Sequence, residues 1–225
     1  MAVSRVEQQL AAMAELQDAL NANVHPQWRH QGHAYYRAIW VECAELLDHF
    51  GWKWWKHQST DLEQVKLEIV DIWHFGLSQL IREGRIDSKR IDASIVAAFD
   101  RIGSSPRGDF RDAVETLAGA VLAQRGFPVD PFVELMAALP LDLDELYRIY
   151  IGKNVLNNFR QANGYKSGTY IKVWLGREDN EHLFELVGEL DDASGSFPDE
   201  LYRALESRYA SAKTGVRSRA PELDR

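Results

Sequence analysis

The sequence predicts an all-α protein built on a helical bundle core. Two observations carry this. Apolar residues recur at helical spacing along most of the 225 residues. The periodic stretches are separated by brief Gly/Pro breaks, GSSPRG at 103–108, RGFPVD at 125–130 and LPLD at 139–142. One stretch departs from the pattern. In YKSGTYIKVWLGREDN, 165–180, β-branched and aromatic residues mix with glycine, which reads as a loop or short irregular segment.

The elements follow in order. Residues 4–22 are rich in good helix formers, and Pro26 ends any continuation. A second helix runs from Tyr35 to Phe50, closed by Gly51. Asp61 caps a third helix over 62–83, ending at Gly84. Residues 85–140 read as three or four shorter helices, a cap or subdomain without a dense cluster of chemistry. A long helix spans 144–163 and stops at Gly164. Two more helices cover 181–190 and 197–212. Residues 1–212 are thus expected to form a single domain, with 213–225 as a frayed polar tail.

The bulk numbers narrow the class. A hydrophobic fraction of 45% marks a globular chain. One cysteine excludes an intramolecular disulfide framework and fits a reducing compartment, and Cys43 lies on an apolar face as a core residue. No apolar run is long enough to span a membrane and the N-terminus lacks a signal-peptide core, so the expected location is cytoplasmic. The net charge of −8 argues against broad nucleic-acid binding.

KLEIVDIWHFGL, 66–77, is apolar almost all the way round a helix, yet it holds Glu68 and Asp71. Buried carboxylates need a partner. ECAELL in the preceding helix holds Glu42 and Glu45 at the same i, i+3 spacing, so each pair projects from one helical face. Packed antiparallel, the two helices would gather four carboxylates, which cannot share a small volume without a cation. Oxygen-only ligands suit Mg²⁺ or Mn²⁺, and no His stands at ExxH spacing after Glu42 or Glu68 to suggest a di-iron bundle. A solvated acidic face is the competing reading.

Residues 151–177 carry Lys153, Arg160, Lys166, Lys172 and Arg177 and no acid. Lys153, Asn157 and Arg160 fall on one stripe of the long helix. Such clustered cations with Asn and Gly donors suit a polyphosphate; a solvated basic face is the alternative. WKWWK, 52–56, places three tryptophans among lysines, for stacking on a base or for the core. Gln17 and Asn21, i, i+4 on the first helix, could read a base edge or stay surface amides. His74 falls near the side of Asp71, to orient a ligand or cap the core.

In this combination the chain resembles the dimeric dUTPases of the all-α nucleoside-triphosphate pyrophosphatase superfamily. The matching pieces are LQDALN (16–21), ECAELL (42–47), WKWWK (52–56), LEIVDIWHF (67–75), GKNVLNNFRQANGYKSGTY (152–170) and GREDN (176–180), in the family's order. The resemblance implies a homodimer with a rigid helical core and a second, smaller mobile helical part that closes on substrate. It implies Mg²⁺-dependent hydrolysis of dUTP, with dUDP also a substrate, to dUMP. Two or three Mg²⁺ would sit on Glu42, Glu45, Glu68 and Asp71, and Mn²⁺ could replace them. One of the glutamates, Glu42 or Glu45, would deprotonate the attacking water. Gln17 and Asn21 would read uracil with Trp54 and His74 nearby, and Asn157 would contact the deoxyribose. Lys153, Arg160, Lys166, Lys172 and Asn180 would bind phosphates, supported by Tyr165. Gly164, Gly168 and Gly176 could serve as hinges of a closing loop over 165–180. The partners expected are a nucleotide and a second copy of the chain, with neither nucleic acid nor membrane. Two rivals remain: a related pyrophosphohydrolase acting on another nucleotide such as dCTP, and a non-enzymatic helical binding module whose acids and bases pair with each other.

Overall fold

A computed structural model describes residues 3–102, 108–139, 141–190 and 196–217. Parts of three expected features, residues 103–107 of one break, Pro140 of another and 218–225 of the tail, lie outside the described residues. The chain divides into two compact units, Met1–Tyr150 and Ile151–Arg225. Nine α-helices and one two-stranded sheet are present among the described residues, an all-α fold.

In the first unit, α1 (Arg5–Val24) opens with a capping box: the Ser4 hydroxyl accepts from the Glu7 amide while Glu7 accepts from the Ser4 amide. Next come α2 (Tyr35–Phe50) and α3 (Leu62–Arg82), with Asp61 capping α3 through the Gln64 amide. The chain reverses within residues 51–61, and α2 lies along α3. Gly51, at φ 93°, ends α2 and Gln58 braces the turn by accepting from the Trp52 and Lys53 amides. Helices α4 (Ala93–Phe99), α5 (Phe110–Gln124) and α6 (Val129–Ala138) occupy the region expected to be a cap.

These short helices have a definite task. They bring Phe99, Phe127 and Phe132 around Trp73 of α3, with centroids 5.3, 5.9 and 5.4 Å away. Trp73 is fully buried and donates its indole N–H to the Met13 sulfur of α1. Two residues separate in sequence by two lie on nearly opposite sides of a helix, so the Trp73 face is set against the Asp71 face. The 85–140 region thus buttresses α3 from behind its acids. Close packing makes Gly76 obligatory there: a Cβ would stand 2.6 Å from the Phe127 ring. Gly76→Ala should lower the melting temperature by an overpacking cost of about 1–3 kcal/mol, read by thermal denaturation; an unchanged melting temperature would mean that the ring yields freely.

Helix α7 (Leu143–Ala162) starts in the first unit and continues in the second. In the second unit it is followed by a hairpin of β1 (Val173–Trp174) and β2 (Arg177–Glu178), then by α8 (Asp179–Glu189) and α9 (Phe197–Arg217). The segment expected to be irregular therefore contains a small hairpin. Its turn residues, Leu175 and Gly176, both have positive φ, 51° and 88°, which matches the twist of a two-residue hairpin loop. Helix α9 runs past the expected end at 212 to Arg217.

The second unit is organised by Phe159. Its ring meets Trp174, Tyr202 and Tyr209 edge-on at 5.8, 5.4 and 5.3 Å. Tyr170 lies 6.3 Å from it and stacks on Tyr209. Polar tips are satisfied as burial requires: the Ile171 amide donates to the Tyr209 hydroxyl, and the Trp174 indole to the Ile171 carbonyl.

Candidate functional site

The acids come together on α2 and α3. One carboxylate oxygen from each of Glu42, Glu68 and Asp71 lies within 4.8 Å of the other two. Glu68 is 6% exposed and Glu42 and Asp71 are half-buried. Glu45, one turn along α2, is exposed and outside this triple. The apolar stripes of both helices cause the arrangement. Ile39, Cys43 and Leu46 bury one face of α2, which leaves Glu42 at its edge and Glu45 further out. Like charges in a half-buried site hold on to protons. Burial pushes the Glu42 carboxyl up to about 8, helped by the charges of Asp71 and Glu68, and the neighbouring Cys43 thiol rises to about 12 through burial and Glu42. Three oxygens at this separation could hold a divalent cation of the hard type. His49, which the sequence reasoning passed over, stands 3.7 Å from Glu68; its i+7 relation to Glu42 was the available signal.

A second set of predicted residues closes into a ring of hydrogen bonds. The Gln17 amide nitrogen donates to Asn21 Oδ1 at 3.0 Å, and the Asn21 amide nitrogen to Ser78 Oγ at 2.9 Å. The Ser78 hydroxyl donates to the His74 carbonyl at 2.8 Å. His74 Nδ1 lies 2.7 Å from Gln17 Oε1. That oxygen can only accept, so Nδ1 carries the proton. The Tyr150 hydroxyl, also 3.0 Å from Gln17 Oε1, stacks its ring on His74 at 4.4 Å. Gln17, His74, Ser78 and Tyr150 are buried. Asn21 is half-exposed and borders a cavity of about 330 Å³ walled by Trp28, Tyr35 and Phe75. Ser78 and Tyr150 were not foreseen; HxxxS, His74 to Ser78 at i+4, was the signal for the first.

Trp54 goes elsewhere. It is 89% exposed on the 51–61 loop and lines a cavity of about 680 Å³ with Trp52, Trp55, Lys53, Lys56 and Arg111. Among the described contacts it meets Trp55, not Gln17, Asn21 or His74. Arg111 holds the loop by donating to the Gly51 carbonyl at 2.7 Å.

The basic residues are arranged in the second unit. Lys153 is 2% exposed and donates to Asn180 Oδ1 at 3.0 Å. Arg160 gives Nε and NH2 to the two oxygens of Asp179, both at 2.8 Å, NH2 also to Asn180 at 3.1 Å, and NH1 to Asn157 at 3.1 Å. Asp179 is fully buried and accepts a third bond, 2.8 Å, from the Tyr170 hydroxyl. Burial, then the Asp179 charge, push the Tyr170 phenol up, which keeps it a donor. Asn180 sits in the first turn of α8 rather than at the end of a loop. Tyr165, Lys166 and Lys172 are exposed. The Arg160 guanidinium lies 5.9 Å from the Tyr165 ring, and Lys172 pairs with Glu178 at 3.0 Å. Lys153, Asn157, Arg160 and Asn180 are therefore brought together, with Asp179 at their centre. No sequence signal singled out that carboxylate, because only the return of α8 onto α7 gives it a role.

A match to a family model supports a nucleotide pyrophosphohydrolase for this all-α fold whose paired helices gather acids. A family model described as dUTPase matches residues 9–165, well over half of the chain. The chain belongs to this dUTPase family, and its function is of the dUTPase type. No curated protein matches the chain. The family match covers the acidic cluster, the hydrogen-bonded ring and α7. Among the described residues no helix is long and apolar enough to cross a membrane.

Proposed function

We propose that the chain hydrolyses dUTP, and dUDP, to dUMP in a Mg²⁺-dependent reaction. The observation that carries this is the triple of Glu42, Glu68 and Asp71 oxygens within 4.8 Å, in a chain of the dUTPase family. With Glu45 they would hold two or three ions. When bound, the metal supplies positive charge to polyphosphate oxygens and makes water more acidic. Glu42 and Glu45 are neighbours on one helix face, so one can hold metal while the other takes the proton of the attacking water. Asn21, with Gln17 and His74 behind it, reads the base from the wall of its cavity. Trp54 reaches the base only if its loop moves from the described position. Asn157 takes the sugar.

Lys153, Arg160, Lys166, Lys172 and Asn180 take the phosphates, with Tyr165 against Arg160. Lys153 is buried as described, so it meets a phosphate only when its surroundings open; this supports a second part that moves on substrate binding. Residues 1–212 act as one catalytic domain in this reading. The working form is a homodimer, supported by Trp40 and Val41, 41% and 43% exposed on the outer face of α2. The single buried Cys43 fits a cytoplasmic setting.

The test is pyrophosphate release from dUTP, dCTP, dTTP and UTP with Mg²⁺ and with EDTA. The expected result is Mg²⁺-dependent turnover of dUTP above the rest. Preference for another nucleotide would keep the metal reading and discard uracil. Turnover of none would leave a binding module.

A further inference from the structure

A side-chain amide reads a base only if its polarity is fixed. Uracil presents an acceptor, O4, beside a donor, N3–H; cytosine presents a donor, N4–H₂, beside an acceptor, N3. An amide turned by 180° exchanges its own oxygen and nitrogen and so exchanges the base it fits. Asn21 faces the cavity of about 330 Å³ with Trp28, Tyr35 and Phe75, and nothing in its own structure prefers one orientation.

Ser78 supplies the preference together with the Gln17 amide. Ser78 is 1% exposed, one helical turn after His74, and its proton lies on the His74 carbonyl at 2.8 Å. With that proton engaged, Oγ offers Asn21 only lone pairs. The Asn21 amide must then turn its nitrogen to Ser78, at 2.9 Å, and its oxygen to the Gln17 amide, at 3.0 Å. Gln17 is held in turn by the Nδ1 proton of His74, so every member of the ring points the same way round. We infer that Ser78 is a positioning residue that sets the choice of uracil over cytosine by locking the orientation of the Asn21 amide. This rests on the reading of Asn21 as the base-contacting amide.

The experiment compares kcat/KM for dUTP and dCTP in the wild type, Ser78→Ala and Ser78→Thr. Ser78→Ala removes one of the two bonds that fix the Asn21 amide, the turned amide becomes easier to reach, and the dUTP:dCTP ratio falls by about threefold to tenfold. Ser78→Thr retains the hydroxyl and keeps the ratio near that of the wild type. A merely structural role for Ser78 would lower both substrates together and leave the ratio alone. Ser78→Cys, of similar volume but a weak acceptor, gives the same readout if Ser78→Ala is too unstable to purify. A wild type selective for dUTP with an unchanged ratio in both Ala and Cys variants overturns the role of Ser78 alone. A wild type without preference for dUTP overturns the base reading, and this inference with it.

Discussion

Glu42→Gln will move stability and activity in opposite directions. Burial, with the charges of Asp71 and Glu68, raises the Glu42 carboxyl from its usual 4.5 to about 8. Folded, metal-free protein therefore holds a proton that the unfolded chain gives up. The stability tied to this proton is fully present below pH 4.5 and is lost as pH rises through about 8. Glutamine does not titrate. At pH 8 in EDTA the variant should melt above the wild type, and the gap should close towards pH 5. Turnover should fall by about 10²- to 10⁴-fold, since a carboxamide neither charges the metal site nor accepts a proton. Mg²⁺ should raise the melting temperature of the wild type more than that of the variant. Thermal scans from pH 5 to 9, with Mg²⁺ or EDTA, check all three. A variant melting below the wild type at pH 8 in EDTA would mean that the acids are already compensated within the fold.

Asp179→Ala should be among the most damaging single changes in the second unit. The carboxylate is fully buried, accepts two bonds from Arg160 and one from Tyr170, and its amide donates to the Lys172 carbonyl at 3.0 Å. Removing one partner of a buried ion pair leaves the other charged and stranded, at a cost of about 3–5 kcal/mol. The Arg160 fork, which Asp179 orients, would lose its position, and turnover should drop with stability. Asp179→Asn keeps one acceptor for Tyr170 but turns an amide against the guanidinium, so it should lie between. Chemical denaturation beside kinetics at a temperature where all variants stay folded separates the two effects. An Asp179→Ala protein as stable as the wild type would show that Arg160 finds another partner at no cost.

Helix α3 was legible because its period, its Asp61 cap and its closing glycine are all local. The acidic cluster was legible in part: two i, i+3 pairs on consecutive helices bring three of the four expected acids together. Glu45 stands outside the triple because a helix advances 100° per residue, and three positions carry it past the edge that Glu42 occupies. Ser78 and Tyr150 were illegible because their meaning depends on Asn21 of α1 meeting Ser78 and on Tyr150 stacking on His74. Asp179 looked like one more acid in a polar stretch until α8 turned back onto Arg160. The described residues of 85–140 offered no motif because what they set against Trp73 is three aromatic rings, and packing leaves no fixed spacing in a sequence.

The ring cluster around Phe159 sets a limit on how this protein can be divided. Phe159 falls inside the stretch that matches the family, whereas Tyr170, Trp174, Tyr202 and Tyr209 all lie beyond residue 165. A chain cut after residue 165 would keep α7 and strip the rings from its most central aromatic. The part of the second unit beyond residue 165 is thus a structural requirement of α7 rather than an appendage to it.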